Sequence, residues 1–584
     1  MYIVLATRSL KGVVVTCKKG SLLSRTDRKS VVSTVVQSLG PGASDNMNHL
    51  ARRSLVWLVI FLSCLGFVLS GCVLLHYPGI EDDEALLAGP IYSPVARDFR
   101  IRIFHRDIPL MAMDYVGALK SWLYWPIFRL FKPSDWSLRF PVLLLGALTI
   151  WLFYLLLHRV AGTRAAVAGC LLLSTDASFL LTTEFDWGPV AIQHLMLAAA
   201  CLCLIEFART GSRKFLGAGF FALGLGLWDK TIFAWLIGGL VVATLAVFPR
   251  QVLARVTTKN LATAIAGFLL GVWPFAVFNA RHDWRSIRNN VSFSADGIGN
   301  KAEVLRATLD GSGLFGYIVN DSSPQPTKAT KTWLERTSTR IADLVGRPQS
   351  NLVMLVALPI FLIVGLAGPS RRTILFALVF MAVSWILMAL TKNAGGSVHH
   401  AVLLWPFPQL VIAVGWADAS RRWDSSGGVS MALLFLFLCV PNLLVTNQYL
   451  TQFIRYGPTV TWTDAIYPLS DFLVSDSPPG SSPDVFVMDW DLYHPLLLLD
   501  QGRIKLQVGY DAEAREQRSI EAMLTSPSAL FVTHTQPNQF FPAPNRNLEN
   551  EAAARGYRKE VLRTVADRHG QAIFEVYRFG RPPL

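Results

Sequence analysis

Four consecutive carboxylates, Glu81-Asp82-Asp83-Glu84, stand just past the end of an apolar run from Leu55 to Leu75. At about 1.5 Å of rise per residue a helix of that length crosses a bilayer, so the acids sit at a membrane edge. Neighbouring carboxylates repel one another, and such a group either raises the proton affinity of its members or gathers a cation. A solvated loop whose charges stop the helix from sliding explains the cluster more simply. Its company argues for more. Asp186, Lys230 and the pair His399-His400 fall in turns that the topology below puts on the same face, together with Arg97, Arg100, Arg102 and Arg106. Each has a plainer reading as well. Asp186 precedes Pro189 at the start of an apolar run, where an acid caps a helix. Lys230 can pair with Asp229, and adjacent histidines cannot both face one way on a helix, so at most one lines a site while the other snorkels to the headgroups.

The chain that must position these groups has 584 residues, of which 52% are hydrophobic and 16% charged. With a mean hydropathy of +0.39, it reads as an integral membrane protein rather than a soluble one. Apolar runs recur at about 55–75, 137–157, 165–182, 189–207, 215–228, 231–248, 260–279, 352–368, 373–390, 399–417 and 429–446, eleven predicted spans. With the N-terminus inside, twelve basic residues fall in the short inner loops and only Lys230 and Lys392 in the short outer turns, which is the positive-inside pattern. Asp114–Phe131 is apolar but interrupted by Lys120, Pro126 and Arg129 and rich in aromatic residues. Counting it as a span would invert every later loop, so it is expected to lie as a helix in the outer interface.

Half of the net charge of +14 sits in residues 1–53, expected to be a disordered, basic cytoplasmic tail. No aromatic interleaving or recognition module accompanies that charge, which excludes nucleic acid as a partner. Residues 54–448 form the expected membrane domain, with outer loops 76–136 and 281–350. An odd number of spans places residues 449–584 outside. That region predicts a small α/β domain, with strands at Asp484–Trp490, Ala529–Thr533 and Ala572–Arg578 and helices at Ala512–Leu524 and Leu548–Val565. Asp489-Trp490-Asp491 ends a predicted strand, a position where α/β domains often bind ligands, without a Gly-rich loop to strengthen the signal. All seven cysteines lie in the tail or in apolar runs, which argues against a disulfide framework or a Cys-ligated metal.

The pattern resembles the GT-C superfamily of membrane glycosyltransferases, most of all the bacterial relatives of the protein O-mannosyltransferases and of the lipid A aminoarabinose transferase. The likeness rests on Asp83-Glu84 in EDDEALLAGPIY, an aromatic segment followed by WSLRFPVLLLGALTIWLFYLL, Asp186 in EFDWGPVAIQ and Lys230 in GLGLWDKTIFAWLIGGL. It covers roughly residues 50–280 and weakens beyond. Where many relatives carry Lys-Pro or His-Pro before the interfacial helix, this chain has Asp114-Tyr115.

The resemblance implies a polytopic α-helical enzyme that moves a sugar from a polyprenyl-phosphate carrier to a hydroxyl-bearing acceptor at the outer face of a bacterial inner membrane, with inversion. A carboxylate must take the acceptor's proton. Asp83 is the expected base, with Asp82 and Glu84 raising its proton affinity or holding a divalent cation. No other cofactor is implied. The leaving phosphate calls for fixed positive charge, for which Lys230, Arg102, Arg106, His399 and His400 are candidates, and the family places an acid at the position of Asp186 in the active site. The rival reading is a polytopic transporter or lipid flippase. A transporter is expected to carry ionisable groups near the bilayer midplane, whereas here they stand at span ends. A receptor or scaffold with a vestigial cluster is a third reading.

Overall fold

The computed structural model describes residues 41–93, 99–322, 330–421, 425–475, 484–510, 516–526 and 528–581. It comprises two compact units, Met1–Val59 and Ile60–Leu584. The described part of the first is the leading half of helix Pro41–Leu74. The expected disordered tail therefore falls largely on residues 1–40, outside the described residues, while residues 41–53 are helical.

Every predicted apolar run falls on helical structure. Six described helices are each long and apolar enough to cross a membrane, among them Asp135–Val160, Val190–Thr210, Thr258–Arg281 and Arg371–Leu390. The pair Thr163–Thr175 and Ala177–Glu184 makes a seventh span if counted as one. Eleven were expected. Phe233–Val247 and Leu352–Leu366 are too short to qualify, each having only 15 residues. The run expected at 165–182 is a pair of helices bent by 59°. Asp176 makes the break: its carboxylate accepts from the Phe179 amide at 2.8 Å, capping the second helix, and from Gln409 Nε2 at 2.8 Å.

The aromatic segment expected at the interface forms helix Leu119–Leu130. Lys120, Ser121, Tyr124 and Phe128 face inward, while Leu123, Trp125 and Leu130 are exposed. Ahead of it, β1 (Arg100–Ile103) and β2 (Arg106–Pro109) pair as an antiparallel hairpin.

The C-terminal sheet comprises β3 (Asp484–Val487), β4 (Lys505–Val508), β5 (Ala529–His534), β6 (Arg558–Ala566) and β7 (Ala572–Gly580), in the order β4-β3-β5-β7-β6. The first three are parallel and β7 and β6 antiparallel additions. The helix expected over Leu548–Val565 ends instead at Ala554. Gly556 at φ +80° turns the chain, and the residues beyond it form β6.

The core of this domain reaches into the loop that follows helix Pro41–Leu74. Ile80, Ala85, Leu87 and Ala88 pack in one cluster with Leu469, Val485, Leu492, Leu496 and Val532, all buried. Burying a side chain of this size stabilises by about 1.5–3 kcal/mol, so the acidic loop is fixed to the C-terminal domain. Gly79 tightens the attachment. Its amide donates to the Trp462 carbonyl at 2.6 Å, and a Cβ there would collide with the Thr463 carbonyl.

Candidate functional site

Glu81 caps the one-turn helix Asp82–Ala85, its carboxylate accepting from the Glu84 amide at 3.1 Å. The four acids then part company. Glu84 enters a buried ion pair with Arg139, which donates to its two oxygens at 2.7 and 2.8 Å. Arg139 is fully buried, and its other N–H groups go to the carbonyls of Leu75, Pro78 and Gly79 at 2.6–3.0 Å. All five guanidinium donors are used. Asp82 accepts from the backbone amide of His494 at 3.1 Å and from its Nδ1 at 2.9 Å. Asp83 is half-buried and, among the described residues, its carboxylate carries no hydrogen bond or ion pair.

The two carboxylates expected to support Asp83 or hold a cation are thus themselves committed, Glu84 to Arg139 and Asp82 to His494. Among the described residues no group of three or more His, Cys, Asp or Glu is arranged to hold a metal ion. The acidic loop therefore does not fit the divalent cation that its composition invited.

Lys230 follows helix Arg213–Asp229, and its backbone bridges to Val116. The ammonium group carries no hydrogen bond or ion pair among the described residues. It presses against the Cα of Gly188, where a Cβ would run into Nζ. Gly188 also has φ +81°, so two separate constraints require glycine there. The His399 ring lies against the same spot, with Nε2 3.7 Å from the position of that Cβ. His399 stacks edge-on to Trp187 and shares its Nδ1 with Ser397 Oγ at 2.7 Å. His400 accepts from the Gly395 amide at 3.3 Å. The two rings were expected to diverge, yet their centroids are 4.1 Å apart, because the helix that carries them is a single turn, Val398–Ala401.

Asp186, at φ +25°, accepts from the Ala191 amide at 2.8 Å and pairs with Lys120 Nζ at 2.9 Å. Both side chains are buried. Lys120 also donates to the backbone carbonyls of Glu84 and Asp186, tying helix Leu119–Leu130 to the acidic loop and to the turn at 186.

Electrostatics join these parts. Burial raises the pKa of Asp83, and Asp82 adds to the effect, while Lys230 is the strongest opposing charge, followed by His494 and Lys120. Reciprocally, burial lowers the pKa of Lys230, with Asp83 its strongest supporting charge, ahead of Asp229 and Asp186. Two phenols face the same carboxylate. Burial and Asp83 push Tyr115 up to about 12, and burial with Glu81, Asp83 and Asp491 raises Tyr317. Both remain protonated hydrogen-bond donors. Asp83, Asp186 and His399 thus lie about Lys230, together with Lys120, Tyr115 and Tyr317, which sequence reasoning missed.

The arginines are elsewhere. Arg102 and Arg106 are exposed on the hairpin, and Arg102 is paired with Asp107 at 2.9 Å. Arg100 clamps helix Ala88–Tyr92, donating to the carbonyls of Pro90 and Ser93 at 2.9 and 2.7 Å. Arg97 lies outside the described residues.

A family of dolichyl-phosphate-mannose-protein mannosyltransferases matches residues 117–278 in sequence, the stretch from the interfacial helix to Phe278. No curated protein matches the chain. In three dimensions it is similar to ArnT from Cupriavidus metallidurans bound to undecaprenyl phosphate, at a TM-score of 0.55 and 14% identity, over 90% of this chain and 98% of that one. The apo state of ArnT gives a TM-score of 0.54 at the same identity and coverage. The chain has the GT-C fold. The archaeal oligosaccharyltransferase AglB from Archaeoglobus fulgidus aligns more loosely, at a TM-score of 0.48 and 12% identity, over 91% of this chain and 74% of that one. Within the GT-C fold of this chain, the acidic loop at 81–84, the turns at Asp186 and Lys230 and the segment at His399 come from four separate stretches of sequence, and the C-terminal domain backs the first of them.

Proposed function

We propose that the chain is a glycosyltransferase that moves a sugar from a polyprenyl-phosphate carrier to a hydroxyl-bearing lipid, glycan or protein acceptor at the outer face of the membrane. The observation that carries this reading is the sorting of the four acids: three are held by partners and, among the described residues, Asp83 alone is left free, opposite Lys230, which is likewise unpaired among them. In a single displacement the acceptor oxygen attacks the anomeric carbon while the bond to the phosphate oxygen breaks. The phosphate keeps the electron pair, the acceptor proton passes to Asp83, and the configuration inverts. Lys230 stands where the negative charge grows, and the Tyr115 and Tyr317 hydroxyls can donate to it. His399 flanks Lys230 on the same side.

Asp186 and Lys120 are positioning residues in this scheme, since their charges are spent on one another. The hairpin arginines are left for the membrane surface or the acceptor. The undecaprenyl phosphate bound to ArnT, which has the same fold, supports a polyprenyl phosphate as the carrier. The orientation with the N-terminus inside and the C-terminal domain outside the inner membrane rests on the charge bias of the loops.

Native mass spectrometry of the protein extracted from membranes tests the carrier. A bound polyprenyl phosphate, lost in Lys230→Met, is expected. Phospholipid alone, at equal occupancy in wild type and variant, would count against it.

A further inference from the structure

The free carboxylate owes its position to the C-terminal domain. The Asp82 amide donates to Asp491 Oδ1 at 2.8 Å, and the Asp82 carboxylate is held by the amide and Nδ1 of His494. Asp491 sits at φ +69°, a left-handed conformation that Asp tolerates better than most residues. That turn carries the chain from β3 into helix Tyr493–Leu499. The helix packs through Leu496 and Leu497 into the core that contains Ala85, Leu87 and Ala88. One short stretch, Asp491–His494, therefore grips the residue next to Asp83 by its amide and its carboxylate, from more than 400 positions away in sequence.

We propose that Asp491 and His494 are positioning residues for Asp83: they hold the acidic helix so that Asp83 alone turns free, and His494 offsets the charge of Asp82 beside it. The idea rests on the assignment of Asp83 as the base, but its geometry stands apart from any sugar chemistry. The charged and titratable groups around the pair come from every neighbouring element. Glu81, Asp83 and Glu84 belong to the loop itself and Asp491 to the turn. Lys120 reaches in from the interfacial helix, Lys230 from its turn, and the Tyr115 and Tyr317 phenols from two further loops. Burial disfavours the imidazolium of His494, but the charge and hydrogen bonds of Asp82, with Asp83, outweigh it and raise its pKa. Near neutral pH the pair thus gains the proton of His494 and loses it as pH rises through that raised value.

Two isosteric changes should move Asp83 in opposite directions. His494→Gln keeps a hydrogen-bond donor but removes the cation, leaving Asp82 uncompensated, so Asp83 holds its proton more tightly. Asp82→Asn removes the stronger of the two influences, the like charge, so Asp83 releases its proton more easily. Dicyclohexylcarbodiimide reacts with protonated carboxyl groups, and peptide mass spectrometry of the labelled full chain in nanodiscs reads Asp83 directly. At pH 7, labelling of Asp83 is expected to rise about threefold or more in His494→Gln, the effect of half a pKa unit, and to fall in Asp82→Asn. Asp491→Ala is expected to speed hydrogen exchange at amides 82–85 while those of β5 stay protected. Should His494→Gln lose protection in β5, and so unfold the domain, Asp82→Asn acts from the loop side and decides the matter. Unchanged Asp83 labelling in Asp82→Asn, or unchanged exchange at 82–85 in Asp491→Ala, overturns the proposal. Neither readout uses a sugar donor, so a failed transferase assay leaves this test intact.

Discussion

Asp83→Asn is expected to cut sugar transfer by about a hundredfold or more, the contribution of a positioned general base, while leaving folding and carrier binding near wild type. The substitution is isosteric, and Asp83 has no hydrogen bond or ion pair among the described residues to lose. Its three neighbours cannot take over. Glu84 is locked to Arg139 and Asp82 to His494, while Glu81 caps the helix. Because burial and Asp82 raise the Asp83 pKa, the wild-type rate should climb with pH through a value above the ordinary carboxylate range, as the base sheds its proton. That acid limb should vanish from the residual activity of the variant. Near-normal turnover in Asp83→Asn, measured as kcat in liposomes, would remove the base from this scheme.

The second large effect concerns stability. Arg139→Met should destabilise the protein by about 3–5 kcal/mol, the usual cost of leaving one member of a buried ion pair alone. Glu84 would be left buried without its cation, at a cost whether it holds its charge or takes up a proton, and the carbonyls of Leu75, Pro78 and Gly79 would lose their donors. These carbonyls close the link between the first span and the acidic loop, so activity should fall with stability. Combining Arg139→Met with Glu84→Gln should recover part of the loss, because the stranded charge is gone. Denaturant unfolding in mixed micelles measures both. A loss below about 1 kcal/mol for Arg139→Met would show that the pair is not holding the loop.

Hydropathy made the apolar helices legible, and short apolar runs did the same for three strands of the C-terminal sheet. Breaks inside apolar runs were harder to see. Asp176 lies within a run that reads as one span, and only its capping of Phe179 and its bond to Gln409 reveal the bend. The candidate site divides in the same way. Asp83 stood out within a run of four acids, and Lys230 and Asp186 as charges at span ends. Their partners did not, because pairing in space leaves little trace along the chain: Arg139 is 55 positions from Glu84, and His494 is 412 from Asp82. One signal was available. Arg139 lies near the start of a span and Lys120 in an apolar helix, and a charge so placed needs a partner. Two buried acids, Glu84 and Asp186, meet that need. Exposure misled in the opposite sense for Arg102 and Arg106, which were grouped with the site by face alone.

In the proposed reaction Asp83 drives the breaking of a lipid-phosphate bond at the outer face rather than the passage of an intact lipid across the membrane. It is tested most directly in proteoliposomes of defined orientation, given a polyprenyl-phosphate sugar labelled in the sugar. With donor and acceptor supplied at the outer face, wild type should move the label from lipid to acceptor and release unlabelled polyprenyl phosphate, and Asp83→Asn should leave the label on the lipid. Label that crosses the bilayer still attached to its carrier, equally in wild type and Asp83→Asn, would rule out Asp83 as the base of a transfer reaction and identify a flippase.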